Sequence, residues 1–178
     1  CDGNSEKWRN FIFGEGGVID KWFALGIDGL RLDVADELTD DFIEGITRAV
    51  KRNKPEGFIL GEVWKNPMRM NRGYIESTKG MHSVMNYPTF DASIRYYKYC
   101  DNWKLDNNLK EILSEYPEGT IQTLMNPTST QDTSRSMEIW GCSVFQQYGE
   151  WAWNLQNDSL DWIKSHRMSR EEYKYGKM

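Results

Sequence analysis

Cysteine and histidine are scarce in this chain, which has three cysteines and two histidines among 178 residues. The cysteines are widely spaced and form no C-x-x-C pair, which argues against a zinc site and a disulfide framework. No apolar run approaches the roughly 20 residues that cross a bilayer. Acidic residues outnumber basic ones by 27 to 22, and this balance disfavours nucleic acid and anionic membranes as partners. No signal-peptide pattern opens the chain, so we expect a cytoplasmic protein.

The chain does have the composition of a globular protein, with 39% hydrophobic and 13% aromatic residues. Short apolar runs predict buried strands, and apolar residues at helical spacing predict helices between them. The predicted strands cover 27–35, 57–64, 82–88 and 120–126, and the predicted helices cover 17–26, 39–53, 91–100 and 107–117. Buried strands that alternate with helices are typical of a parallel sheet. We therefore predict an α/β fold, either an open sheet or part of a barrel.

Polar side chains stand where the predicted strands end. They are Asp33, Glu62, Asn86 and, beyond the fourth strand, Asp132. In parallel α/β folds the carboxyl ends of the strands form the ligand-binding edge, so we expect these residues to converge there. Paired carboxylates suit glycosidic chemistry, in which one stays ionised and another, in a drier setting, keeps its proton.

An arginine and an aspartate stand two residues apart in the first predicted strand, in the segment GLRLDVADE. Residues i and i+2 of a strand share a face, so Arg31 can hold Asp33 in its charged form. One interpretation is a catalytic site oriented by the strand. The other is a buried Arg–Asp pair that only closes a layer of a barrel, and the motif alone leaves both open.

Four segments in order resemble conserved regions of the α-amylase superfamily, glycoside hydrolase family 13. GLRLDVADE, FILGEVW and LMNPTSTQDTSR resemble its second, third and fourth regions, and VMNYP resembles the neopullulanase, cyclomaltodextrinase and maltogenic amylase branch. The resemblance implies a (β/α)8 TIM barrel with a retaining mechanism. It also implies that residues 1–178 are a fragment of one catalytic domain, about strands 4 to 7 with their helices. The family's first region and strand 8 have no counterpart here.

The resemblance also implies roles for individual residues. Asp33 matches the catalytic nucleophile, and Glu62 matches the general acid/base. Asp132 matches the third carboxylate, which steadies the transition state, and Arg31 matches the arginine beside the nucleophile. In a retaining site the first two carboxyl groups are expected roughly 5–5.5 Å apart.

One position departs from the family pattern. Gln131 stands where the fourth region has a histidine that helps to hold the sugar. Glutamine donates hydrogen bonds but carries no positive charge. Losing one transition-state contact costs on the order of 10²–10³ in rate.

Further substrate-binding candidates each have a plainer interpretation. Asp36 and Glu37 stand where the resembled branch shapes its acceptor subsite, or they serve the start of a helix electrostatically. Trp64 follows the acid and stacks on a sugar face or packs in the core. Asn86 and Tyr87 line the cleft or anchor a loop.

The function that these resemblances imply is hydrolysis of α-1,4 glucosidic bonds in maltooligosaccharides and starch-like glucans, and cleavage of α-1,6 bonds is left open. No organic cofactor is expected, and calcium in a longer parent is left open because no acidic cluster has calcium-loop spacing. The alternatives are a glucanotransferase or isomerase of the same superfamily, and an inactive carbohydrate-binding or structural fragment. Open sheet edges predict self-association. An aromatic-rich tail is a candidate sugar platform or packing element (Tyr148, Trp151, Trp153, Trp162).

Overall fold

The computed structural model describes residues 4–69, 75 and 80–133, which fall into two compact units. The first unit comprises the chain up to Asn86 together with Glu111–Met125. The second comprises Tyr87–Lys110 and the residues from Asn126 onward. The candidate aromatic tail lies outside the described residues.

In the first unit an α-helix separates the first two strands, as the sequence predicts. In chain order the elements are α1 (Glu6–Phe13), α2 (Val18–Ala24), β1 (Gly29–Leu32), α3 (Asp40–Asn53), β2 (Phe58–Gly61), β3 (Ser83–Val84), α4 (Tyr87–Tyr99), α5 (Asn102–Glu115) and α6 (Glu118–Thr123). Short 3-10 helices at Ala35–Glu37 and Pro67–Arg69 follow β1 and β2. The α/β class is confirmed, whereas the number of barrel strands stays a prediction.

The three strands form one parallel sheet in the order β1-β2-β3. Leu32 lies opposite Gly61, and Gly61 lies opposite Val84. The carboxyl ends of the strands are therefore in register. Because the residues that follow Leu32 and Gly61 leave the sheet at the same edge, this register brings Asp33 and Glu62 together.

The predicted fourth strand, 120–126, is wrong in most of its length. Residues Glu118–Thr123 form α6, and only Met125 bridges in parallel to Met85. The β-branched residues of this segment favour a strand, but Pro117 sets the backbone for a helix start. The Thr120 hydroxyl also donates to the His82 carbonyl at 3.1 Å, which fastens α6 beside β3.

The core of the first unit lies between α3 and the sheet. On α3, Ile43, Ile46 and Val50 are at most 4% exposed, and Ile59 of β2 is fully buried. Acidic residues begin this helix and basic residues end it, which suits the helix dipole. The predicted helix 39–53 is therefore confirmed, and it supports the strands that carry the candidate carboxylates.

The second unit is built around α4 and the first part of α5. Tyr87, Phe90 and Ala92 are buried in it. The carboxylate of Asp91, 8% exposed, pairs with the Arg95 guanidinium at 3.1 Å. Helix α4 begins at Tyr87 rather than at the predicted 91, so the third strand is shorter than the predicted 82–88. Throughout the described ranges, no helix is both long and apolar enough to span a membrane.

Candidate active site

Arg31 and Asp33 sit at the carboxyl end of β1, and their side chains form an ion pair. The Asp33 side chain is 71% exposed and that of Arg31 is 32% exposed. The hydrogen bond from Arg31 lowers the pKa of Asp33, and hydrogen bonding with the Glu62 carboxyl acts in the same direction. Asp33 is therefore an exposed carboxylate that stays ionised at neutral pH. This exposure argues against a buried pair that only closes a barrel layer.

Glu62 sits at the carboxyl end of β2 in the opposite environment, with a side chain only 4% exposed. Its Oε2 lies 3.0 Å from Nη2 of Arg31 and accepts a hydrogen bond of 2.9 Å from the backbone N–H of Val34. Arg31 therefore bridges an exposed carboxylate and a buried carboxyl group. The buried group has the partners that a polar side chain needs when it leaves water.

The backbone around Glu62 is tied to the end of β1. The Glu62 N–H donates to the Leu32 carbonyl at 2.9 Å, and the Ala35 N–H donates to the Glu62 carbonyl at 3.0 Å. Gly61 leaves room beside these bonds, since a Cβ there would clash with the Met81 side chain and lie 3.3 Å from the Ala35 Cβ. The two carboxyl-bearing loops are therefore held together by main-chain bonds on both sides of Asp33.

The other candidates in the first unit differ in exposure. Asp36 and Trp64 are half-buried, Glu37 is exposed, and Asn86 is 3% exposed. Asp36 and Glu37 belong to the 3-10 helix after β1, two and three residues beyond Val34. Burial favours an anchoring role for Asn86, because a sugar-binding amide needs accessible surface.

Three candidates belong to the second unit. Tyr87 is fully buried at the start of α4, which favours anchoring over sugar contact. Asp132 is half-buried and Gln131 is exposed, both in a turn. Within this turn the Thr130 hydroxyl accepts from the Asp132 N–H at 3.2 Å, and the Thr133 hydroxyl accepts from the Thr130 N–H at 2.8 Å. These local bonds fix the backbone on which Asp132 stands.

The part of the chain that the structure describes contains no group of three or more histidine, cysteine and acidic side chains placed to hold a metal ion. The candidate site consists of two carboxyl groups, those of Asp33 and Glu62, in contrasting environments. One is exposed, ionised and beside a guanidinium, and the other is buried and hydrogen-bonded. Such a pair can supply a nucleophile and a proton donor.

Sequence reasoning missed Val34. Its backbone is left-handed, with φ 46° and ψ 48°, and its N–H reaches Glu62. The sequence gives no indication of this left-handed conformation, because glycine and asparagine normally adopt it and β-branched residues rarely do.

Parallel strands with an arginine-bridged carboxyl pair at their carboxyl ends define an α/β protein with the elements of an acid/base site. The family is shown by a model for the alpha-amylase catalytic domain, which matches residues 4–156. The chain belongs to this family of glycoside hydrolases.

Several known proteins are similar to the chain. A cyclomaltodextrinase from Geobacillus thermopakistaniensis (strain MAS1) is 35% identical over 120 residues, which make up 66% of this chain and 20% of that protein. Neopullulanase 2 from Thermoactinomyces vulgaris is 33% identical over 122 residues, 67% of this chain and 20% of that protein. The native structure of a debranching enzyme from Nostoc punctiforme aligns with a TM-score of 0.66 and 26% identity, covering 78% of this chain and 31% of that one. The chain thus spans about a fifth of the length of these curated relatives.

Proposed function

We propose that this chain carries the nucleophile and the general acid/base of a retaining glycoside hydrolase. The substrates would be maltooligosaccharides and starch-like glucans with α-1,4 and also α-1,6 glucosidic bonds. The observation that carries the proposal is the Arg31 guanidinium, which bridges exposed Asp33 and buried Glu62. Relatives named cyclomaltodextrinase and neopullulanase support the substrate class.

The exposed and ionised state of Asp33 supports its role as nucleophile, and the match of Glu62 to the family's third region supports its role as acid/base. An ionised Asp33 attacks the anomeric carbon, and the bond from this carbon to the leaving oxygen breaks. Glu62 delivers its proton to that oxygen. Water then displaces Asp33 from the sugar while Glu62 takes a proton back.

The separation of the carboxyl groups also bears on the stereochemical outcome. An inverting site needs roughly 6.5–9.5 Å between them, to leave room for a water. Asp33 and Glu62 share one guanidinium, since Nη1 of Arg31 pairs with Asp33 and Nη2 lies 3.0 Å from the Glu62 Oε2. This shared partner supports the retaining alternative, with direct attack by Asp33.

We assign Asp132 the role of the third carboxylate, on its resemblance to the family's fourth region. Gln131 beside it is exposed and has an amide that can reach a sugar hydroxyl. Asp36, Glu37 and Trp64, which have accessible surface, remain candidates for substrate contact. A cytoplasmic location stays a prediction.

The test of the proposed function is release of reducing sugar from maltotriose by the 178-residue chain, beside Asp33→Asn and Asp40→Asn. The control Asp40 is an exposed residue in the first turn of α3, and the change removes the same charge. We expect turnover that is lost in Asp33→Asn and kept in Asp40→Asn. Equal turnover in all three would contradict the role of Asp33. Longer or rearranged sugars among the products would favour a transferase or isomerase instead, and binding without turnover would favour an inactive sugar-binding fragment.

The same preparation tests self-association, which we propose from the sheet edge. Among the described strands β1 is terminal, so its outer edge has no strand partner there. Unpaired edges recruit further strands. Light scattering should therefore give a mass above that of one chain, and a monomer with a sharp unfolding transition would contradict this.

A further inference from the structure

Val34 holds a backbone conformation that its side chain disfavours. Of the non-glycine residues described, only Val34 and Cys100 have positive φ. Left-handed backbone is a genuine outlier for a β-branched residue, and such outliers persist only when the surrounding structure imposes them. The Val34 side chain is 47% exposed, so side-chain packing does not explain the conformation.

The left-handed turn aims two successive N–H groups at one residue. The Val34 N–H donates to the Glu62 Oε2 at 2.9 Å, and the Ala35 N–H donates to the Glu62 carbonyl at 3.0 Å. If residue 34 were extended, the chain would continue in the direction of β1. The N–H groups of residues 34 and 35 would then point in different directions. The strained backbone at Val34 therefore places both N–H donors on Glu62.

Both strong donors near the Glu62 carboxyl converge on the same oxygen. Oε2 accepts from Val34 and pairs with Nη2 of Arg31 at 3.0 Å. An acceptor oxygen has two lone pairs, and two donors occupy them. A proton on this carboxyl group then belongs on Oε1.

We infer that Val34 is a positioning residue whose backbone N–H, together with Arg31, confines the proton of Glu62 to Oε1. One part of this inference rests on the proposed function: Oε1 would be the oxygen from which the leaving group receives its proton. The hydrogen bond itself exists whatever the chain's activity. Failure of the inference is therefore distinguishable from failure of the proposed function.

The test is an amide-to-ester replacement at Val34, made with the corresponding hydroxy acid, which removes the N–H and keeps the side chain. The same replacement at Ala35 is the matched control, since it deletes a bond of similar length to the Glu62 backbone. Carbon-13 NMR of labelled glutamate reports the carboxyl carbon of Glu62. We expect the Val34 ester to move the chemical shift of this carbon, because a hydrogen-bond donor to its Oε2 is lost. The Ala35 ester should leave it in place. No movement with the Val34 ester, or equal movement with both, would overturn the inference.

A second measurement needs no ester. In the unmodified chain the amide proton resonance of Val34 should depend on pH through its hydrogen bond to the Glu62 carboxyl. In Glu62→Gln that component of its pH dependence should vanish, leaving only the response to Asp33. An identical pH dependence in both chains would overturn the inference. If the predicted NMR changes occur in a chain without turnover, Val34 keeps its positioning role and the proposed function fails.

Discussion

Removing the Arg31 guanidinium should destabilise the fold mainly through Glu62. The perturbation is Arg31→Met, combined with Glu62→Gln in a double-mutant cycle. Glu62 is buried and paired with Arg31 at 3.0 Å, and a hydrogen bond to a charged group contributes about 1.5–3 kcal/mol. The cycle subtracts packing effects that each substitution causes alone. We expect a coupling energy of about 1.5–3 kcal/mol in urea unfolding followed by tryptophan fluorescence.

A surface pair on α3 supplies the matched control. Arg48 and Glu44 also lie 3.0 Å apart, but their side chains are 65% and 34% exposed. The same substitutions, Arg48→Met and Glu44→Gln, should couple by only about 0.3–0.5 kcal/mol, as exposed i,i+4 pairs do. High salt should weaken this surface coupling more than the buried one. If the two cycles give equal coupling energies, Arg31 does not hold Glu62 and the account of the site is refuted.

Other predictions concern the scaffold. Burial lowers the pKa of His82, whose Nδ1 accepts from the Ile59 N–H at 3.0 Å, so the fold favours its neutral form. This stabilisation is complete above about pH 6.5 and is lost as the pH falls through the folded-state value, and unfolding curves of His82→Asn should lack this pH dependence. In Gly45→Ala the added Cβ would lie 2.5 Å from the Phe13 ring, which should cost about 1–3 kcal/mol in denaturant unfolding. At Gly119, in α6, a Cβ meets nothing within 4 Å, so Gly119→Ala should stabilise by about 0.5–1 kcal/mol, and a loss there would contradict the open surface.

The placement of Asp33 and Glu62 could be predicted from the sequence because it depends on strand order alone. Two buried runs separated by the amphipathic segment 39–53 require a parallel pair, and the residue after each strand then stands at the same edge. Strand order did not predict how exposed either side chain would be. Asp33 is open to solvent and Glu62 is enclosed, since the loop after β1 folds over Glu62 through Val34 and Ala35.

Local signals failed where tertiary contacts decide the backbone. The segment 120–126 has strand-forming residues, yet most of it is helical because Pro117 starts α6 and Thr120 bonds to His82. Thr39 stands at the N-cap of α3, but its hydroxyl makes no capping bond. It hydrogen-bonds with Asp41 instead and lowers the pKa of that carboxyl. At Thr39 the residue type therefore suits the helix start but does not predict the hydrogen bond that the side chain makes.

The most direct test of the central claim is to trap the covalent intermediate. A fluorinated glucosyl fluoride that forms the glycosyl-enzyme faster than water removes it would be added to the chain, followed by peptide mass mapping. We expect one added sugar, attached to Asp33, because that carboxylate is ionised and exposed beside Arg31. A sugar on any other carboxylate, or an unlabelled Asp33 in a preparation that hydrolyses maltotriose, would contradict it.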